Sequence, residues 1–316
     1  MSPKVSVIIP NYNHGEYLVQ RIESVLNQTY QNFEVIILDD CSTDNSGDVI
    51  KIYAGNPKIT HIVLNDNNSG SPFKQWQRGL ELTTGEWVWI AESDDYADHC
   101  FLEHMLLAVN KLPTAGLAYC DSNIVTGDGV ARQTFGSFKN ERFKTNRWSE
   151  SHTNNGLDEL ENYLLFGGTI NNTSAVLFKC DLLLRVNPFD LPLRYIGDKY
   201  AFVKVLAESD VVYVQEALNY YRDPFNTKHA DRFILYFYEQ FLLFDWVWRN
   251  VGPINREKFF RAFYENTRNS LFRDWNQEKF SLYRKLFQVN RYLLMKSIAH
   301  NFRMAFASVF SFTKQH

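Results

Sequence analysis

Three acids fall within four residues at Glu92-Ser93-Asp94-Asp95, directly after the apolar run Trp87-Val88-Trp89-Ile90-Ala91. Such a run is built for burial, and ionised carboxylates at its edge are costly unless cations or hydrogen bonds compensate them. Hard divalent cations such as Mg2+ take oxygen ligands and commonly share them with substrate phosphates, so the cluster is a candidate metal seat. Taken alone, a solvated acidic loop ahead of a helix would look the same. Two further polar clusters also end apolar runs: Asn11-Tyr12-Asn13 follows residues 5–10, and Asp39-Asp40 closes residues 33–38.

The elements that must carry these clusters follow from periodicity. Residues 5–10, 33–38, 59–64 and 87–91 read as short buried strands. Helical patterns separate them at about 15–28, up to about 54, and at about 73–82, and a further helix follows at 98–111. The run Ser42-Thr43-Asp44-Asn45-Ser46 is rich in N-cap residues. This alternation predicts an α/β fold with an open, mostly parallel sheet covered by helices on both faces. Ligands of such sheets bind beyond the carboxyl ends of the strands, where all three polar clusters fall. Convergence from separate strands is stronger evidence for a site than any one cluster.

Beyond residue 111 the pattern is less regular. Strands are predicted at 116–122, 173–178, 211–214 and 217–221, helices at 158–166 and 196–207, and loops or hairpins over 123–155. From about residue 232 the chain is helical and aromatic, and Tyr236, Phe237, Phe241, Phe244, Trp246 and Trp248 read as packing residues. The organisation expected is residues 1–225 as the catalytic domain, divided into 1–110 and 111–225, with 226–316 as a helical C-terminal region.

Bulk properties exclude some classes. At 316 residues with 45% hydrophobic and 16% aromatic content the core is ample, and the net charge of −3 speaks against a nucleic-acid binder. The charge is unevenly placed: residues 279–316 hold seven Lys/Arg and no acid, which leaves −10 on residues 1–278. A basic tail on an acidic body points to an anionic partner surface, either a membrane or a neighbouring subunit. The four cysteines match neither zinc spacing nor a disulfide framework and read as free thiols. No signal peptide and no apolar stretch of about 18 residues is found, so a cytoplasmic location is expected, with peripheral contact at the inner membrane face as an option.

With these residues in view, the chain resembles family 2 glycosyltransferases, whose nucleotide-sugar-binding fold is called GT-A. The resemblance covers roughly residues 4–225. It is carried by Val5-Ser6-Val7-Ile8-Ile9-Pro10-Asn11-Tyr12-Asn13 with the later Ser24-Val25-Leu26-Asn27-Gln28-Thr29-Tyr30, by Glu34-Val35-Ile36-Ile37-Leu38-Asp39-Asp40-Cys41-Ser42-Thr43-Asp44, and by Gly85-Glu86-Trp87 leading to Glu92-Ser93-Asp94-Asp95. It implies that Pro10 and Tyr12 line a nucleoside-diphosphate base pocket and that Asp39 accepts a hydrogen bond from the base. Asp94 would bind Mg2+ or Mn2+ across the donor diphosphate, supported by Asp95, with Glu92 toward the ribose or the outer shell of the metal. The family more often has Asp at the position of Glu92. Arg222, in a late Tyr-Arg segment, could approach the diphosphate, and His229 the metal. Lys74 and Arg78 stand where relatives carry an Ala-Arg-Asn triplet and read as surface charges.

Glycosyl transfer needs a base for the acceptor hydroxyl, and Asp198 in Tyr195-Ile196-Gly197-Asp198-Lys199-Tyr200 matches the family's segment. Helix capping is the plain alternative for that residue. The resemblance therefore implies an inverting, metal-dependent transfer from a nucleotide sugar, read as a UDP-sugar, to a hydroxyl of a cell-surface polysaccharide or glycolipid precursor. The rivals are a sugar nucleotidyltransferase and an inactive GT-A-like binding scaffold. The first would need a Gly-rich, cationic loop after strand one, which Asn11-Tyr12-Asn13-His14-Gly15 does not supply. Near the C-terminus, Ile298, Phe302, Phe306 and Phe310 form an apolar stripe flanked by Lys285, Lys296 and Arg303, with Arg284 and Arg291 nearer the stripe. Membrane contact, packing on the catalytic domain and association between subunits all remain open for it.

Overall fold

The apolar runs of the first ninety residues become the strands they predict. The computed structural model describes residues 5–126, 130–222, 232–267 and 277–312. Strands β1 (Val5–Asn11), β2 (Phe33–Asp39), β3 (Ile59–Leu64) and β4 (Trp87–Ile90) run parallel in the order β3-β2-β1-β4. Every residue of β1, β2 and β4 is buried, as continuous apolar strands covered on both faces require. Helices α1 (Gly15–Leu26), α2 (Ser46–Tyr53), α3 (Pro72–Leu80) and α4 (Phe101–Val109) provide the cover. In α1 the buried stripe is Leu18, Arg21, Ile22 and Val25, the spacing of one helical face. The start of α1 is fixed by close approach: a Cβ on Gly15 would lie 2.1 Å from Asn45 Oδ1.

The chain builds outward from β1 through β2 to β3 and then returns to place β4 on the other side of β1. That reversal makes a topological switch point beside β1, the usual ligand crevice of an open α/β sheet. The register brings the ends together, with Asn11 opposite Asp39 and the Ala91 amide donating to the Ile8 carbonyl at 2.8 Å.

The sheet continues through β9 (Val176–Lys179), β6 (Ala115–Val125) and β10 (Asp210–Arg222) to β5 (Tyr96–Ala97), while β7 (Ala131–Thr134) pairs with β6 and β8 (His152–Asn154) with β10. Strand β9 is antiparallel to both β4 and β6, and β10 is parallel to β6. The two late strands predicted at 211–214 and 217–221 are one strand, β10, with register shifts between Val214 and Asn219. The predicted strand over 173–178 begins as a 3-10 turn at Thr173–Ala175, because the Asn172 side chain accepts the Ala175 amide at 2.9 Å. Two helices arise outside the predicted ones: α5 (Phe135–Phe143) and α7 (Cys180–Val186). Helices α6 (Gly156–Asn162) and α8 (Gly197–Leu206) fall where expected, the former shorter and followed by a 3-10 turn at Leu164–Phe166.

The chain divides into two compact units, Met1–Glu159 with Gly168–Thr227, and Leu160–Gly167 with Lys228–His316. The second is built by α9 (Arg232–Asn250), α10 (Arg256–Thr267) and α11 (Gln277–Phe312) around buried Phe237, Phe241, Phe244, Phe259 and Phe263. Tyr236 remains 45% exposed, so the aromatic run is not uniformly core. Helix α11 is interrupted at Asn290 (φ −156°, ψ 96°), whose Nδ2 donates to Asp245 Oδ1 at 2.6 Å. Cys41, Cys100, Cys120 and Cys180 are free thiols. Among the described residues no helix is long and apolar enough to cross a membrane.

Candidate functional site

A cavity of about 360 Å³ opens at the switch point, lined by Pro10, Asn11, Tyr12 and His14 after β1, Asp40 after β2, residues 68 and 70–72 with Gln75, and Glu92 and Ser93 after β4. Tyr12 is 47% exposed, a ring held at the rim with a face available for stacking. His14 Nδ1 and Ser93 Oγ lie 2.9 Å apart and tie the ends of β1 and β4 together. The turn after β1 needs a left-handed residue at Asn13 (φ 55°), a conformation that Asn tolerates. Asn13 then accepts the Thr43 amide at 2.7 Å and donates its own amide to Ser42 Oγ at 2.9 Å, so the β1 and β2 loops brace each other.

The acid pair after β2 is heavily hydrogen-bonded. Asp39 Oδ1 accepts the Ser42 amide at 2.9 Å, and its Oδ2 accepts from Ser42 Oγ at 2.6 Å and Asn11 Nδ2 at 2.7 Å. Asp39 thus closes its own turn. Asp40 faces the other way and holds the loop ahead of α3. Its Oδ1 accepts from Asn65, the Ser69 amide and Gln75, each at 2.8 Å, and its Oδ2 from Ser69 Oγ at 2.7 Å. The sequence pointed to Asp39 as the base-facing carboxylate; the one that lines the cavity is Asp40. The turn at Cys41, in the left-handed region at φ 64°, accompanies this division of labour.

The acids after β4 are differently placed. Asp95 is 2% exposed, and its Oδ1 accepts the Arg222 amide at 3.0 Å. Burial and the neighbouring Asp94 charge hold its carboxyl well above the usual carboxylate range. Glu92 is half-buried with Oε1 inaccessible and no hydrogen bond of good geometry, its near donor being the Trp76 indole; burial followed by the Asp94 and Asp95 charges pushes it up to about 8, with Trp76 and Arg21 opposing the shift. Two arginines offset this density of negative charge. Arg21, fully buried on α1, donates Nε to the Glu92 carbonyl at 2.7 Å and lies over the Trp89 ring; burial pulls its guanidinium down to about 10. Arg222 donates to the Asp94 carbonyl and to Gln20 Oε1, with its guanidinium 4.5 Å from the centre of the Tyr17 ring and 5.0 Å from that of Tyr96. Arg222 therefore clamps the acidic turn from below and is not among the residues lining the cavity. Arg21 escaped the sequence reading because a lone arginine on a helix carries no sign of what lies above it.

The residues fit a shared metal rather than a caged one. Among the described residues no three His, Cys, Asp or Glu side chains converge tightly enough to hold an ion. The orphaned Glu92 oxygen and the crowding of three acids are what a cation would relieve, with the remaining ligands coming from a phosphorylated partner. Asp94, half-buried, is better placed as a direct ligand than Asp95, one of whose oxygens already holds the Arg222 amide.

Asp198 stands in the first turn of α8 and is not among the cavity-lining residues. Its placement depends on Gly197, where a Cβ would lie 2.5 Å from the Phe73 ring, so α8 is seated directly on α3. Lys199 beside it is pushed down to about 8 by burial, with Asp198 opposing that shift. Lys74 Nζ donates to the Ser69 carbonyl at 2.8 Å and Arg78 pairs with Glu81 at 2.9 Å on the surface, in keeping with their reading as surface charges. His229 lies outside the described residues.

Residues 6–162 match the family described as Glycosyl transferase family 2. The glycosyltransferase GlyG of Streptococcus pneumoniae serotype 4 is 37% identical over 111 residues, 35% of this chain and 36% of its own. The chain thus spans about a third of the length of that curated relative. Among solved structures, Staphylococcus aureus TarS 1–349 in complex with UDP superposes with a TM-score of 0.67 at 17% identity, covering 94% of this chain and 89% of that one. The mannosyltransferase PcManGT of Pyrobaculum calidifontis, in complex with GDP-Man and Mn2+, gives 0.60 at 17% identity, covering 96% and 88%. These likenesses establish the GT-A fold, with the mostly parallel central sheet and the C-terminal helices.

Proposed function

We propose that this chain, whose residues 6–162 belong to glycosyl transferase family 2, moves a sugar from a nucleotide-sugar donor to an acceptor hydroxyl. The observation that carries the reading is the convergence, at one switch point, of an exposed ring (Tyr12), a buried carboxylate on the cavity wall (Asp40) and an under-neutralised acid cluster of which Glu92 lines the cavity, while Asp94 and Asp95 follow it in the chain and are not among the lining residues. Tyr12 and Pro10 take the base between them. Asp40, whose Oδ2 has a single donor, accepts the base N–H; a uracil imide and guanine N1–H both supply one, and the UDP held by TarS favours a UDP-sugar as the donor. Asp94, backed by Asp95, would hold Mg2+ or Mn2+, which as a Lewis acid stabilises the charge that builds on the departing diphosphate. Arg21 and Arg222 hold the acidic turn in shape beneath that site.

The acceptor oxygen attacks the anomeric carbon as the bond from that carbon to the diphosphate oxygen breaks, and Asp198 takes the hydroxyl proton. One displacement on the face opposite the diphosphate inverts the anomeric configuration. The acceptor expected is a polysaccharide or glycolipid precursor of the cell surface. GlyG is named as a glycosyltransferase, which supports the reaction class; TarS is seen with UDP and PcManGT with GDP-Man and Mn2+, which support the class of donor.

The test is a panel of nucleotide sugars assayed for donor hydrolysis and transfer, with Asp198→Asn alongside. The variant should bind UDP as the wild type does while its turnover falls about a thousandfold. Normal turnover would remove Asp198 as the base, and no metal-dependent UDP binding by the wild type would favour a binding scaffold over an enzyme.

A further inference from the structure

The face of α11 turned to solvent is wrong for water. Phe280 is 69% exposed, Phe287 54% and Met295 56%. Exposed Arg284 stands between the phenylalanines at spacings of four and three residues, which places Phe280, Arg284 and Phe287 along one side of the helix ahead of its interruption at Asn290; Arg291 and Met295, also exposed, follow that interruption. The buried positions are the conventional ones: Leu282 and Leu286 before the interruption, and Leu293 and Leu294 after it, are buried within the C-terminal unit. An ordinary surface helix would carry polar residues where the phenylalanines stand. Among the described residues neither Arg284 nor Arg291 pairs with a carboxylate, and residues 279–316 hold seven Lys/Arg and no acid. Of the apolar stripe expected from sequence, Ile298 is half-buried, and the side chains of Phe302, Phe306 and Phe310 lie outside the described residues.

We infer that this face of α11 docks on an anionic lipid surface. Aromatic and methionine side chains enter the boundary between headgroups and acyl chains, and arginines interleaved with them remain level with the lipid phosphates. The uniform positive charge selects acidic lipid, each cation adding to the attraction near a negative leaflet. The same charge opposes pairing of this face with its own copy, because like charges would then meet. The inference is independent of the donor reading, since vesicle binding is measured without substrate.

The test is co-sedimentation of the full chain with phosphatidylcholine vesicles and with vesicles containing phosphatidylglycerol, at low and at raised salt. The wild type should partition onto the anionic vesicles at least about tenfold more than onto the neutral ones, and salt should weaken that binding. Phe280→Ser combined with Phe287→Ser should lower the partitioning about tenfold while leaving UDP affinity and the melting temperature unchanged, since both side chains are exposed. Equal partitioning onto the two vesicle types, or full retention by the double variant, would overturn the inference. So would a salt-sensitive oligomer in solution that the same variant abolishes while vesicles are left unbound, because the face would then belong to a second copy.

Discussion

Two acid clusters end strands on either side of β1 in the same sheet and are treated in opposite ways. Asp39 and Asp40, after β2, are supplied with donors from Ser42, Asn11, Asn65, Ser69 and Gln75. Glu92, Asp94 and Asp95, after β4, are left with an orphaned buried oxygen and with two of the three carboxyls held protonated beyond the usual range. The first arrangement is what a scaffold needs, since a carboxylate that collects neutral donors fixes loops at modest cost. The second is unfavourable as it stands and makes sense around a cation that arrives with a substrate. On the proposed reading, the contrast separates residues that shape the pocket from residues that would do its electrostatic work.

The largest effect expected is at the under-neutralised cluster. Asp94→Ala should cut transfer by about a thousandfold or more, the scale of losing leaving-group stabilisation, with little change in melting temperature. A variant that transfers at the wild-type rate would break the contrast. At the saturated pair the balance should reverse. Asp40→Ala leaves the Ser69 amide and hydroxyl and the Asn65 and Gln75 amides without their acceptor, and should cost about 3 kcal/mol of stability in chemical denaturation, with only about tenfold weaker UDP binding. A stable Asp40→Ala protein that has lost all nucleotide binding would make the base contact, and not the bracing of the loops, the main role of Asp40.

A smaller effect sharpens the contrast through pH. In metal-free protein Glu92 is raised to about 8, well above its unfolded value near 4.3, so between those values the folded state binds more protons than the unfolded one. Stability contributed by Glu92 is therefore fully present below the unfolded value and is lost as pH rises through about 8. Thermal melts without metal from pH 5 to 8 should fall less steeply for Glu92→Gln than for the wild type. Identical slopes would mean that Glu92 is not the strained acid.

Much of this was legible from the chain. The four parallel strands and their polar ends could be read because continuous apolar runs broken by acids admit few other arrangements. What was lost depended on contacts far apart in sequence. Helix α5 has no clear apolar period; it is held because the Gly136 amide donates to Asp121 Oδ1 at 2.8 Å and because buried Lys139 lies over the Tyr119, Trp148 and Tyr213 rings. Asp39 and Asp40 are told apart only by their partners, Asn11 and Ser42 for the first and Asn65, Ser69 and Gln75 for the second, which lie up to 35 residues away in the chain. Arg21 and Arg222 became braces of the acidic turn only when α1 and the end of β10 were brought beneath it.

The central claim is that the acids after β4 act through a divalent cation shared with the donor. Calorimetric titration with UDP, with Mn2+ and with chelator, tests it most directly. Mn2+ should tighten UDP binding by about tenfold or more in the wild type and make no difference in Asp94→Ala. Equal UDP affinity in the presence and absence of the metal, or an Mn2+ effect that survives in Asp94→Ala, would contradict the account.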